Sequence, residues 1–280
     1  MRSSWVVVLF GLAACSAQPS QDSGRTAETS TTTQIVEITT TTTQPNRCRI
    51  DRELVFADLT GCDLGGLELN NRDLRGVKLV KANLQATNLR GSNLAGADLT
   101  EANLSGAALE NSNLSEAIVS RTNLNGANLV GADLYKVFFD YATLVGANLN
   151  GANLAEVWFW NADLTSATLN SVFIQNGTKY NLRNSFEPSV SFSYVKLGQT
   201  TFYSANLRSA VFSESDLTDA DFGSANLEQA LFTSSTMTRV DFGYADLSYA
   251  YFAGVDLSDV ELRGATLTKV RLGGVTGYNP

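Results

Sequence analysis

Between Leu54 and Ile174 every fifth residue is Leu, Val, Phe or Ile, in 25 successive positions. The rule resumes from Phe192 to Leu272, where 17 positions carry Leu, Phe or Met. With each of these positions called i, position i−2 is small, and 21 of the 42 are Ala. Position i−1 is Asn or Asp in 22 of the 42. A period of five fits neither a 3.6-residue helix nor a long alternating strand. It predicts a chain that turns every five residues and points one large and one small apolar side chain inward each time. Four such sides close a square coil of about 20 residues. Coils stacked by backbone hydrogen bonds sit about 4.8 Å apart, so some ten of them make a rod roughly 50 Å long. Each coil buries its hydrophobes only against its neighbours.

Units such as Gly96-Ala97-Asp98-Leu99 and Gly151-Ala152-Asn153-Leu154 resemble the pentapeptide repeat family, written A(N/D)LXX. The match covers nearly everything after residue 50. The resemblance implies an all-β fold, a right-handed quadrilateral β-helix over 47–280, with i and i−2 inside and the other positions largely exposed. It also implies that Asn or Asp at i−1 supports the turns, as short polar side chains bonded to nearby backbone do. Family members are often dimers through the C-terminal end, usually with an added helix. Here Leu272 is followed by Gly273-Gly274-Val275-Thr276-Gly277-Tyr278-Asn279-Pro280. A weak homodimer through that end is expected, with Pro280 and the glycines partly covering the last coil. Some family members mimic DNA and bind gyrase, which supplies an alternative function.

The departures from the pattern carry further expectations. The interval from Ile174 to Phe192 amounts to three units plus three, so the register breaks over 175–191. Asn176-Gly177 is a turn signal and Pro188 cannot donate to a ladder. The break reads as a loop or kink joining two stacks of one domain. After it, Phe192, Phe202 and Phe212 onward alternate with Leu197, Leu207 and Leu217, which places Phe on two opposite sides of the square. Arg52 and Arg72 fall on interior positions, so irregular or outward-turned first coils are expected. Ile118, Phe138 and Trp158 are apolar at i−1 and form an outward column, with Tyr135 and Trp160 nearby. Val211, Leu231 and Tyr251 form a second column. Such a column is either a contact surface or a shield over the ladder beside an interior aromatic such as Phe139 or Phe159. Asp221, Asp241 and Glu261 align as an acidic column that reads as turn support.

The N-terminus differs in kind. Arg2, the apolar run Trp5 to Leu12, and Ala13-Ala14 before Cys15 read as an export signal over 1–14. Leu12-Ala13-Ala14-Cys15 resembles the bacterial lipobox, which makes Cys15 the lipidation site and a membrane the first partner. Residues 15–46 are rich in threonine and poor in apolar residues, a disordered tether. In an exported protein disulfides persist, and Cys48 and Cys62 flank the first repeats as a candidate bridge.

Charge and chemistry then narrow the function. The chain has 20 Lys+Arg, 28 Asp+Glu and no histidine, so the commonest general base and metal ligand is missing. It has no Gly-rich phosphate loop, and no carboxylate pair stands apart from the turn-supporting set. No catalytic residue, metal or cofactor is expected. Residues 47–280 carry 18 basic and 25 acidic side chains, too weak a field to imitate DNA with one charge per roughly 1.7 Å. Export also separates the chain from gyrase, and no nucleic acid partner is expected. The reading is a non-enzymatic solenoid, lipid-anchored at the cell membrane or surface, that contacts an unknown protein or envelope component.

Overall fold

The computed structural model describes residues 48–51, 53–174 and 190–277. The export signal, Cys15, the tether, Arg52, residues 175–189 and Pro280 lie outside the described residues. Among those described there is no α-helix, and no helix long and apolar enough to cross a membrane.

Each pentapeptide makes one side and one corner of a coil. The N–H of Ala102 donates to the Leu99 carbonyl at 2.9 Å, which closes a turn, and the same bond recurs as Ala107 to Leu104 at 3.0 Å. The third residue of nearly every turn is left-handed, at φ 65° for Gly96 but also φ 58° for Glu101. Glycine adopts that conformation without a Cβ clash, while Glu101 bears the cost because the ladders on both sides fix its backbone.

Four parallel ladders hold the coils together, and each links residues 20 apart, as in Asn83 to Asn103 to Asn123. Side chains at i and i−2 point inward, and Leu99, Ala102, Leu104 and Ala107 are wholly buried. The fold is therefore an all-β, four-sided β-helix. Its last part has short strands on one side: β1 (Val157–Trp158), β2 (Val190–Ser193), β3 (Val211–Ser213), β4 (Leu231–Thr233), β5 (Tyr251–Ala253) and β6 (Arg271–Gly273), in a sheet of that order.

The register break resolves differently from the expectation. Asp163 bridges to Lys196 across a sequence step of 33, where the step elsewhere is 20. Trp158 with Ser191 and Thr168 with Thr201 keep the same long step. The interval from Ile174 to Phe192 is thus one repeat unit plus thirteen inserted positions, not three units plus three. The two halves are one stack, and β2 re-enters it at Val190, inside the segment assigned to the break.

Aromatic stacking fills the core of the second half. Phe192, Phe212 and Phe232 lie face to face with centroids 4.9 Å apart, while Phe202 and Phe222 stack at 4.7 Å on another side. The two columns meet edge to face, as Phe212 and Phe222 do at 5.3 Å, the arrangement that ring quadrupoles favour. Phe159 stacks on Phe192 at 5.1 Å, so the first column continues unbroken across the inserted residues.

The two ends differ. At the N-terminal end a disulfide joins Cys48 to Cys62, with Cα atoms 5.5 Å apart, and Ile50 packs on the core. Arg72 corrects the expectation of an irregular coil: its backbone keeps the repeat geometry while its guanidinium, half-buried, donates to the Ile50 carbonyl at 2.8 Å. That charge is accommodated because, among the described residues, only the capping segment lies beneath it. At the opposite end, among the described residues, Leu267 and Leu272 remain exposed above Leu247 and Phe252.

Candidate functional site

Three of the four ladders share one chemistry at their outward positions. One runs Asp63, Asn83, Asn103, Asn123, another runs Asn88, Ala108, Asn128, Asn148, and a third runs Asn93, Asn113, Asp133, Asn153. Their side chains do local structural work. Asn103 Oδ1 accepts from the N–H of Ser105 at 3.1 Å, and Asn113 Oδ1 from that of Ser115 at 2.9 Å. They also bridge coils: Asn153 Nδ2 donates to Asp133 Oδ1 at 2.9 Å. Within the acidic column, Asp221 and Asp241 accept from the N–H groups of Gly223 and Gly243 at 2.7 and 2.6 Å. They are turn supports.

The fourth ladder abandons that chemistry. It begins polar, with Asp58 and Asp98 accepting from the N–H groups of Thr60 and Thr100. It then runs Ile118, Phe138, Trp158, Ser191, Val211, Leu231, Tyr251 and Arg271. The two apolar columns read from the sequence are therefore a single column, joined where β1 pairs with β2. Ile118 and Phe138 are each 44% exposed and Trp158 is 48% exposed. Parallel coils sit about 4.8 Å apart, so the column from Ile118 to Tyr251 is about 30 Å long.

The choice between contact surface and shield can be tested inside the molecule. A shield belongs wherever an interior phenylalanine lines a ladder. Phe202, Phe222 and Phe242 line a second side, yet the outward residues before them are Thr201, Asp221 and Asp241. Interior aromatics alone do not call for apolar cover. The fourth ladder thus gives up its turn-supporting hydrogen bonds for side chains that stay nearly half-exposed.

A second row lies beside the first, two residues along each strand and on the same outward side. It holds Asp140, Trp160, Ser193, Ser213 and Thr233. Trp160, 43% exposed, meets Tyr141 edge to face at 5.2 Å and Tyr194 at 6.5 Å, and Arg121 lies over the Tyr141 ring at 5.5 Å. Burial pushes the Asp140 carboxyl above the usual carboxylate range. Ile118, Phe138, Trp158 and Trp160 are therefore brought onto one face. Tyr135 is not part of it. It stands half-buried before the preceding corner, where its hydroxyl donates to Glu156 Oε1 at 3.3 Å and Lys136 Nζ lies 5.0 Å from its ring. Tyr141, Tyr194 and Asp140 complete the face although the repeat pattern does not mark them: they stand at or beside corners, where side chains vary freely.

The family description "Pentapeptide repeats (8 copies)" matches residues 53–91, 78–115, 102–140, 113–151 and 137–170, and "Pentapeptide repeat region" matches 188–275. These matches span most of the sequence, and the chain belongs to the pentapeptide repeat family. Among solved structures it is similar to HetL, a pentapeptide repeat protein involved in heterocyst differentiation regulation in the cyanobacterium Nostoc sp. strain PCC 7120, at 29% identity. That likeness covers 79% of this chain and 91% of HetL, with a TM-score of 0.43. A pentapeptide repeat protein of the Arabidopsis thaliana thylakoid lumen is 36% identical over 36% of this chain and 66% of its own, with a TM-score of 0.28. QnrB1, a plasmid-mediated fluoroquinolone resistance protein, is 18% identical over 76% of this chain and 90% of its own, with a TM-score of 0.41. No curated protein is similar enough in sequence to count as a relative.

Proposed function

We propose that this pentapeptide repeat solenoid is a non-enzymatic, lipid-anchored binding protein of the cell surface, which meets a protein or envelope component through its apolar ladder. One observation carries the proposal: on one side of four, consecutive coils exchange a turn-supporting Asn or Asp for exposed Ile118, Phe138 and Trp158. Contiguous exposed apolar patches mark contact sites more often than scattered single residues do. The lipobox-like Leu12-Ala13-Ala14-Cys15 supports anchoring through Cys15, and the threonine-rich, apolar-poor composition of 15–46 suits a tether. The Cys48–Cys62 bridge suits an oxidising compartment. A weak homodimer forms through the C-terminal end, where, among the described residues, Leu267 and Leu272 stay exposed.

The test is retention on isolated cell envelopes of the full chain carrying Cys15→Ser, which has no lipid to hold it, compared with the same chain carrying also Phe138→Asn and Trp158→Asn. Retention of the parent and loss in the variant are expected. Equal retention of both would overturn the reading.

A further inference from the structure

The outward face of the fourth ladder is two rows wide, and the rows differ in chemistry. One row is apolar and includes Phe138, Trp158 and Leu231; the other, beside it, holds Asp140, Ser193, Ser213 and Thr233, with Trp160 between them. We propose that this face binds an extended, straight glycan strand, whose pyranose rings lay their C–H faces on the apolar row and their hydroxyls along the polar one. The inference rests on the proposed binding role of the face and names the chemical class of its ligand.

Size argues against a protein partner. A strip about 30 Å by about 10 Å offers on the order of 300 Å², against roughly 800 Å² per partner in a stable protein interface. A second copy laid on the strip therefore gains too little. Hydrogen bonding argues against an extended peptide, which brings an N–H and a C=O at every residue. The backbone groups of this side are already spent between coils: Phe139 N–H on the Trp158 carbonyl at 2.8 Å, Phe159 N–H on that of Ser191 at 3.0 Å. A glycan instead brings an apolar ring face and a rim of hydroxyls, which is what the two rows receive.

The details fit the same class. Trp158, Trp160, Tyr141 and Tyr194 are all more than two-fifths exposed and crowd onto neighbouring coils, so rigid rings stand ready without ordering flexible side chains. The Asp140 carboxylate is half-buried beside them with no side-chain partner among the described residues. Such a group favours a ligand that brings O–H donors. Ser193 shares a hydrogen bond with Ser191 at 3.0 Å, and Ser213 accepts one from Thr233 at 3.0 Å, so the hydroxyl row is held in place. The ladder holds the two rows in register from coil to coil.

The experiment is isothermal titration of the purified full chain with two straight β-1,4-linked hexasaccharides, chitohexaose and cellohexaose, with maltohexaose as a curved control. Saturable heat from at least one straight oligomer, weaker for the curved one, is expected. Trp160→Asn and Asp140→Asn should each weaken that binding about tenfold or more; neither side chain is buried, so both variants should fold. No saturable binding of either straight hexasaccharide would overturn the inference, as would unchanged affinity in both variants. If the parent is retained on envelopes while neither hexasaccharide binds, the glycan inference falls and the proposed function stands. If envelopes do not retain the parent, the proposed function falls and the titration is judged by itself.

Discussion

Trp158 and Ser191 are neighbouring rungs of one ladder, although Ser191 comes thirteen positions later than the regular step of 20 would place a partner. The chain therefore carries thirteen residues more than a coil needs at this point. Excising thirteen residues between Ile174 and Val190 should leave an unbroken repeat, with a far-ultraviolet spectrum and unfolding midpoint close to the parent's. Excising twelve leaves one residue over, which must bulge from the ladder, and should lower the midpoint. Equal behaviour of the two deletions would show that the ladder does not set the register.

Phe222 is fully buried, stacked on Phe202 at 4.7 Å and edge-on to Phe212 at 5.3 Å. Phe222→Ala should cost about 3–5 kcal/mol, since no neighbouring side chain can move along a fixed ladder to fill the space. Phe222→Leu restores the residue found on the adjoining sides and should cost less than half as much. Chemical unfolding of the two variants measures both.

The Cys48–Cys62 bridge closes a short loop, with a sequence separation of 14, over the first coil. Replacing both cysteines with serine should remove up to about 3 kcal/mol. The loss should begin locally. Hydrogen exchange should speed up first at Leu59 and Leu64, because a solenoid frays from its ends. Uniform acceleration along the whole rod would contradict the capping role.

Glu110 gives a pH dependence with a definite sign. Its carboxylate accepts from Arg90 Nη2 at 2.6 Å and from Asn128 Nδ2 at 2.7 Å, and the Arg90 hydrogen bond, ahead of all other causes, holds its carboxyl below the ordinary range. A depressed folded value means that the stabilisation is complete above about pH 4.3, the unfolded value, and fades as pH falls through the folded one. The contribution is modest, at most about 1 kcal/mol, because Arg90 is largely exposed. Glu110→Gln should therefore be less stable than the parent at pH 7, and the gap should narrow as pH falls below about 4.3, by thermal unfolding.

Much of this is legible in the sequence because the solenoid is nearly one-dimensional. The inward positions, the opposed phenylalanine columns and the shared ladder of Ile118, Phe138 and Trp158 all follow from counting by five and by 20. What counting misses is tertiary. The interval between Ile174 and Phe192 divides into units in more than one way, and only the hydrogen bonds between β1 and β2 choose among them. The continuity of Trp158 with Val211, and of Tyr141 with Tyr194 around Trp160, is hidden until that choice is made. Tyr135 shows the reverse error, since proximity in sequence to Phe138 does not carry it around the corner. Arg72 breaks the inward rule because its coil lies at an end, which the local pattern does not reveal.

On the proposed function, the apolar ladder serves contact and not stability. The direct measurement is the unfolding free energy of the Phe138→Asn, Trp158→Asn variant in urea. Asn restores the side chain that supports turns on the other three ladders, so the account predicts a value within about 1 kcal/mol of the parent's. A loss of about 3 kcal/mol or more, of the size that follows removal of packed aromatic side chains, would contradict it and make the column part of the packing.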